Sequence, residues 1–183
     1  MKDETLLIKG CLEGNAKMQR RLYNTYAPKM YGICLRYAQN QDEASDILQE
    51  GFIKVFTKLQ DFRNEGSLEG WIKKIMINTA INFYIKEKRY LTTNLETDEG
   101  ISEQVQISYD NLQLKDLLKL VQGLPAGYRA IFNLYEIEGY THKEISEILG
   151  ISINTSKTQL MHARRFLQKQ ILSIEKQTNS IKR

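Results

Sequence analysis

Asp46, Gln49 and Glu50 stand at positions i, i+3 and i+4, the spacing that places three side chains on one face of an α-helix. Two carboxylates and an amide form an acceptor-rich patch suited to arginine and lysine side chains on a partner protein. Read alone, the same face is an ordinary solvated surface. It makes a poor catalytic dyad, because no substrate cleft or base partner accompanies it. Downstream, Phe62-Arg63-Asn64-Glu65-Gly66-Ser67 leads to Trp71, Lys74, Asn78 and Asn82, and the run closes on Lys86, Lys88 and Arg89. Aromatic platforms with interleaved cations suit unpaired bases and their backbone. Asn78 and Asn82, one helical turn apart, suit base edges, and the terminal cations suit flanking duplex phosphates. Core packing is the competing use of Phe62 and Trp71.

A third cluster lies near the C-terminus. Thr141-His142-Lys143-Glu144 is a capping box, in which the threonine hydroxyl accepts from the Glu144 amide and the glutamate reaches back to the cap. Ile145, Ile148 and Leu149 give the short helix an apolar side, and Gly150 supplies the left-handed residue that ends it. Ile151 is apolar in the tight turn, and Ser152 caps a long second helix. Ile153, Leu160, Ala163, Leu167 and Ile171 form its packing stripe. Asn154, Thr155, Thr158, Met161, His162 and Arg165 project oppositely, with Lys157 and Arg164 on one flank. Short polar and basic residues on a helix held by a shorter one fit major-groove reading. The bland alternative is an αα-hairpin with a solvated outer face.

The elements that must position these clusters are helical. Asn15 is expected to cap a helix running to about Tyr26, with Pro28 in the first turn of the next, which presents Met30, Ile33, Cys34 and Tyr37. Asp42 is expected to cap a third helix with the stripe Ile47, Leu48, Phe52, Val55, Phe56 and Leu59. After the polar break at 61–67, a fourth helix from about Leu68 to Arg89 carries Ile72, Ile75, Met76, Ala80 and Ile81. From Thr92 to about Ser108 the pattern dissolves into an acidic, turn-rich linker. Asp110 and Gln113 form a second capping box before Leu114, Leu117, Leu118 and Val121. Pro125 opens a helix with Tyr128, Ile131, Phe132 and Tyr135 on its apolar face. No alternating strand pattern appears, so the fold expected is all-α, two helical modules on a tether.

Composition bounds the function. The 183 residues are 42% apolar with two prolines, enough to bury a core and too apolar for a disordered chain. Residues 1–90 carry 15 Lys+Arg against 11 Asp+Glu, residues 91–118 one against six, and residues 119–183 ten against five. Two basic blocks around an acidic stretch suit a polyanion with two contact sites. No run approaches the roughly 20 apolar residues of a bilayer-spanning helix, and no signal peptide is evident. Cys11 and Cys34 are isolated and read as buried thiols. The expected address is the cytoplasm. His142 and His162 have no Cys, Asp or Glu at a ligand spacing, so neither a metal nor a cofactor is expected.

The order of the motifs carries a resemblance. Asp46-Ile47-Leu48-Gln49-Glu50-Gly51-Phe52, then Phe62-Arg63, Glu65-Gly66-Ser67 and Trp71-Ile72, then Asn78-Thr79-Ala80, look like region two of bacterial extracytoplasmic-function sigma factors. Leu124-Pro125-Ala126-Gly127-Tyr128-Arg129, then Glu138-Gly139-Tyr140-Thr141-His142-Lys143-Glu144-Ile145, Leu149-Gly150-Ile151-Ser152, Thr155-Ser156-Lys157 and Ala163-Arg164 resemble region four. The likeness covers about residues 5–172. It implies a region-two bundle over 1–91, an acidic linker over 92–109, a region-four helix-turn-helix over 110–175 and a tail over 176–183.

The resemblance also implies partners and roles. Asp46, Gln49 and Glu50 would bind the clamp helices of core RNA polymerase, and region four its flap. Phe62, Arg63, Asn64, Trp71, Lys74, Asn78, Asn82, Lys86, Lys88 and Arg89 would serve the minus-ten element, with Phe62 and Asn78 beside a base flipped from the non-template strand. Lys157, Thr158 and Met161 would read minus-thirty-five bases and Thr155 and Arg165 would hold the backbone, with Asn154 and His162 also counted to that element. Ser146, Asn154 and His162 depart from a frequent alanine, glycine and arginine in the family; the last removes a permanent charge. Promoter DNA and an anti-sigma factor are the further implied partners, and no catalysis is expected. The other readings are a stand-alone helix-turn-helix regulator and a nucleic-acid enzyme. The enzyme lacks any metal-ligand cluster, phosphate loop or nucleophile–base pair in the sequence.

Overall fold

The computed structural model describes residues 2–93 and 114–181, with side chains over 3–87 and 116–174. Every regular element in it is helical: α1 (Lys2–Leu12), α2 (Ala16–Tyr37), α3 (Gln41–Lys58) with a 3₁₀ turn over Leu59–Asp61, α4 (Leu68–Thr93), α5 (Leu114–Gln122), α6 (Ala126–Phe132) running into a π-helical turn over Asn133–Ile137, α7 (His142–Leu149) and α8 (Ile153–Ile181). The chain divides into two compact units, Met1–Phe83 and Tyr84–Arg183. The first two residues of the expected linker, Thr92 and Thr93, end α4; its remainder, and the capping box at Asp110 and Gln113, lie outside the described residues.

In the first unit, Asn15 caps α2 by accepting from the amides of Lys17 and Met18 at 3.0 and 3.3 Å. The helix does not stop near Tyr26 as expected; α2 runs unbroken through Pro28. Proline in a helix interior removes one hydrogen bond and crowds the preceding turn. Here Asn24, whose carbonyl loses its donor, and Pro28 are both exposed, so water can satisfy that carbonyl. The opposite face, through Leu22, Ala27, Met30, Ile33, Cys34 and Tyr37, is buried throughout and holds the two halves together. α3 also starts earlier than expected. Asn40, not Asp42, accepts from the Glu43 amide at 2.8 Å, while the Glu43 carboxylate accepts from the Gln39 amide; Asp42 sits in the first turn.

The core of this unit joins Leu22 and Met30 to Ile47, Phe52, Val55, Leu59, Leu68, Ile72 and Met76. The predicted stripes hold, except that Phe56 and Ile75 are half-buried and Ile77 is buried instead. Gly51 permits the close approach of α3 and α4, since a Cβ there would run into Met76 Sδ. Cys11 and Cys34 are both buried and free, as read from the sequence.

In the second unit α6 buries Arg129, Ala130 and Ile131, and the π-turn buries Asn133 and Leu134. The expected aromatic face of Tyr128, Phe132 and Tyr135 is only half-buried. The buried Arg129 guanidinium donates to the carbonyls of Gln122 and Leu124 at 2.8 and 3.3 Å. It thereby satisfies carbonyl oxygens at and just beyond the C-terminal end of α5, where a cation is favoured. α8 buries Ser156, Leu160, Ala163 and Ile174, and Leu120 of α5 packs with Ile174, Leu167 and Ile171. Ile153, expected on the stripe, is 43% exposed. It is the first residue of α8, and the short α7 meets the helix one turn later, at Ser156.

Candidate nucleic-acid and partner-binding faces

On α3, Asp46 and Gln49 are exposed and Glu50 is half-buried. The three share a face, but Glu50 is engaged within the chain: Lys54 Nζ lies 2.6 Å from its Oε1. The same ammonium lies 3.3 Å from Thr79 Oγ1 on α4. Ile53, one turn beyond Gln49 and Glu50, is 66% exposed. The outward patch therefore combines one unscreened carboxylate, an amide, a neutralised carboxylate and an apolar neighbour.

The loop between α3 and α4 forms an open pocket of about 450 Å³, lined by Asp61, Phe62, Arg63, Glu65, Gly66, Ser67, Gly70, Trp71 and Lys74. Phe62 and Trp71 are half-buried, with ring centroids 5.5 Å apart and planes tilted by 52°. They belong neither wholly to the core nor to solvent, and each offers an edge or face to the pocket. Asn64 holds a left-handed backbone, φ 57°, which asparagine tolerates better than most residues. Ser67 caps α4 through the Gly70 amide at 3.1 Å. Asn78 and Asn82 are exposed farther along α4 and do not line the pocket, and Lys86 is exposed beyond them. The side chains of Lys88 and Arg89 lie outside the described residues.

The helix-turn-helix forms as its sequence requires. Thr141 Oγ1 accepts from the Glu144 amide at 3.3 Å, and Glu144 Oε2 accepts from the Thr141 amide at 2.8 Å. Donation to that carboxylate from the Thr141 backbone amide, and next from the Thr141 hydroxyl at 2.8 Å, holds the Glu144 carboxyl below its usual range. Gly150 ends α7 at φ 63° and ψ 38°. Ser152 Oγ accepts from the Thr155 amide at 2.9 Å and starts α8. Asn154, Lys157, Thr158, Met161 and Arg165 are exposed, and Thr155 is half-buried. His162 is not on the open side: it is half-buried and stacks on Tyr128, centroids 5.8 Å apart at 17°.

A hub absent from the sequence reading fixes this assembly. The His142 ring stacks on Tyr135, centroids 4.4 Å apart, and its Nδ1 lies 3.0 Å from Ser156 Oγ. Arg164 pairs with Glu136 at 2.6 Å and sits over the Tyr135 ring. Burial first, then the charges of Lys157 and Arg164, push the His142 pKa down. None of these pairs has a short sequence spacing. The Glu50–Lys54 pair does, at i, i+4, a spacing that sequence alone can flag.

Residues 22–90 match the family model for sigma-70 region 2, and residues 114–167 that for sigma-70 region 4. The chain is 33% identical over 141 residues to RNA polymerase sigma factor SigV of Bacillus subtilis, covering 77% of this chain and 83% of that protein. It is 29% identical over 176 residues to the ECF RNA polymerase sigma factor SigW of the same organism, covering 90% and 94%. Among solved structures it resembles the sigma factor RpoE from Bartonella quintana, crystallised in complex with the anti-sigma factor NepR. That match has TM-score 0.50 and 21% identity over 83% of this chain and 95% of that one, a likeness of fold. Among the described residues no helix is long and apolar enough to cross a membrane.

Proposed function

This chain belongs to the sigma-70 family, in its extracytoplasmic-function branch, and we propose from that premise how its faces divide the work of initiation. The protein is an RNA polymerase sigma factor: it binds core polymerase and directs promoter-specific initiation through the minus-ten and minus-thirty-five elements. Asp46, Gln49 and Glu50 on α3 take cations of the polymerase clamp helices. The Phe62–Trp71 pocket takes a base of the minus-ten strand, with Arg63, Asn64 and Lys74 at its rim. Asn78, Asn82, Lys86, Lys88 and Arg89 track the rest of that element along α4. On α8, Lys157, Thr158 and Met161 read minus-thirty-five bases, and Asn154, Thr155 and Arg165 hold phosphates. His162 supports that face from its stack on Tyr128. The modules span 1–91 and 110–175, joined by the linker at 92–109, with 176–183 as a tail.

The observation that supports this reading most is the outer side of α8. Asn154, Lys157, Thr158, Met161 and Arg165 are exposed while Ser156, Leu160 and Ala163 are buried beneath them. A helix so presented, capped at its start and stopped by a glycine turn, has the geometry for major-groove entry. The work asked of the chain is binding and strand separation without catalysis, and unstacking a base costs only a few kcal/mol. It acts in the cytoplasm alongside polymerase, and an anti-sigma factor is its expected inhibitor.

The test is equilibrium binding of the labelled full chain to purified core polymerase at near-physiological salt. Submicromolar saturable binding, competed by a known sigma factor and lost in Asp46→Lys, supports the assignment. Tight, salt-dependent duplex binding without polymerase, and none to core, would instead support a stand-alone regulator.

A further inference from the structure

We infer that Lys54 is a positioning residue for polymerase docking, acting through Glu50; this rests on the reading of the α3 face given above. Lys54 Nζ lies 2.6 Å from Glu50 Oε1 and 3.3 Å from Thr79 Oγ1. The lysine and glutamate side chains are 32% and 34% exposed, and Thr79 is wholly buried. An i, i+4 pair standing in water holds neither side chain in place and contributes little. Here the ammonium has a second contact, Thr79 Oγ1, fixed in the core on a neighbouring helix. It therefore holds one oxygen of Glu50 at a set position, and a carboxylate offers about four lone-pair sites over its two oxygens.

An arriving cation then meets an oriented carboxylate, so less side-chain freedom is lost on binding. Charge by itself argues the other way. A lysine beside an acidic patch repels a cationic partner, and its removal would tighten binding. The sign of the effect thus separates positioning from simple electrostatics. Thr79 also follows Asn78 directly, so the same ammonium ties the docking helix to the helix that carries the proposed base-reading amides.

The experiment is a double-mutant cycle on the affinity of the full chain for core polymerase. Wild type, Lys54→Met, Glu50→Gln and the double variant are compared, with Lys54→Arg as rescue and Asp46→Lys as the control for the face itself. Lys54→Met is expected to weaken binding about fivefold to tenfold. Lys54→Arg should recover most of that, and Lys54→Met should cost nothing further once Glu50 is Gln. Circular dichroism and melting establish that each variant is folded at the assay temperature. Unchanged or tighter binding by Lys54→Met overturns the inference, as does an equal loss in both backgrounds, which marks a purely structural brace. If neither Asp46→Lys nor Glu50→Gln alters affinity, the docking-face reading fails and the Lys54 inference falls with it.

Discussion

His142 Nδ1 lies 3.0 Å from Ser156 Oγ, so the first residue of α7 is joined to a hydroxyl wholly buried in the first turn of α8. The ring also stacks on Tyr135 of the π-turn, and three elements meet at one imidazole. Such a contact sets how the two helices of the motif cross, and it does so through the one side-chain type whose unperturbed pKa lies near neutrality.

The surroundings of His142 decide the sign of its pH dependence. Burial and the cations Lys157 and Arg164 disfavour the imidazolium, as does its place at a helix N-terminus; Glu136 on the π-turn is already committed to Arg164. The folded pKa therefore lies below the ordinary value of about 6.5. The unfolded state binds more protons, so the contribution is complete above that value and is lost as pH falls through the folded pKa. Thermal melts of the full chain should show the helix-turn-helix losing stability as pH falls below about 6.5, and His142→Gln losing less over the same range. A parallel decline in both proteins would refute the assignment. Glu144, also held below its usual range, acts only in more acidic solution.

Gly51 offers a test of packing. Its Cβ would meet Met76 Sδ, and Met76 is wholly buried with no open side to retreat to. Gly51→Ala should destabilise the first unit by about 1–3 kcal/mol through overpacking, offset in part by about 1 kcal/mol of helix propensity. Denaturant unfolding measures the net change. A more stable variant would mean that Met76 repacks at little cost.

The two thiols should be silent in the folded protein. Burial pushes Cys34 up to about 12 and Cys11 upward as well, so little thiolate forms at neutral pH. A disulfide-exchange reagent at pH 8 should label both at once in denaturant. In the native chain it should label Cys34 only at the rate of global opening, and Cys11, the less deeply buried of the two, sooner. Immediate stoichiometric labelling of Cys34 would contradict its burial.

What could be read beforehand divides along physical lines. The capping box at Thr141, the stop at Gly150 and the cap at Ser152 depend on residues within a few positions of one another, and local chemistry fixes them. The buried stripes of α3 and α4 follow from period alone. Pro28 misled because a local penalty was outweighed by a face buried along all of α2, which no short window contains. Ile153 misled because periodicity marks which side of α8 faces inward but not where the neighbouring helix begins. His162 and Arg164 were read as free cations or polar groups, and both turn out to be held by aromatic or acidic partners more than twenty residues away.

That last difference separates two cations of α8 that look alike in sequence. Lys157 is exposed on the outer side of the first turns, whereas Arg164 is bound to Glu136 and covers Tyr135. Lys157→Ala, assayed as holoenzyme on a panel of minus-thirty-five variants, should relax the preference at one position by about 1–3 kcal/mol. Arg164→Ala removes a contact that holds the π-turn to α8, so it should lower the melting temperature of the second unit and leave the order of preferred sequences unchanged. If Arg164→Ala alters base preference at an unchanged melting temperature, Arg164 leaves Glu136 to enter the groove, and its pairing in the free chain is then a contact that DNA displaces. Melting curves and the promoter panel, run on the same two variants, distinguish these cases directly.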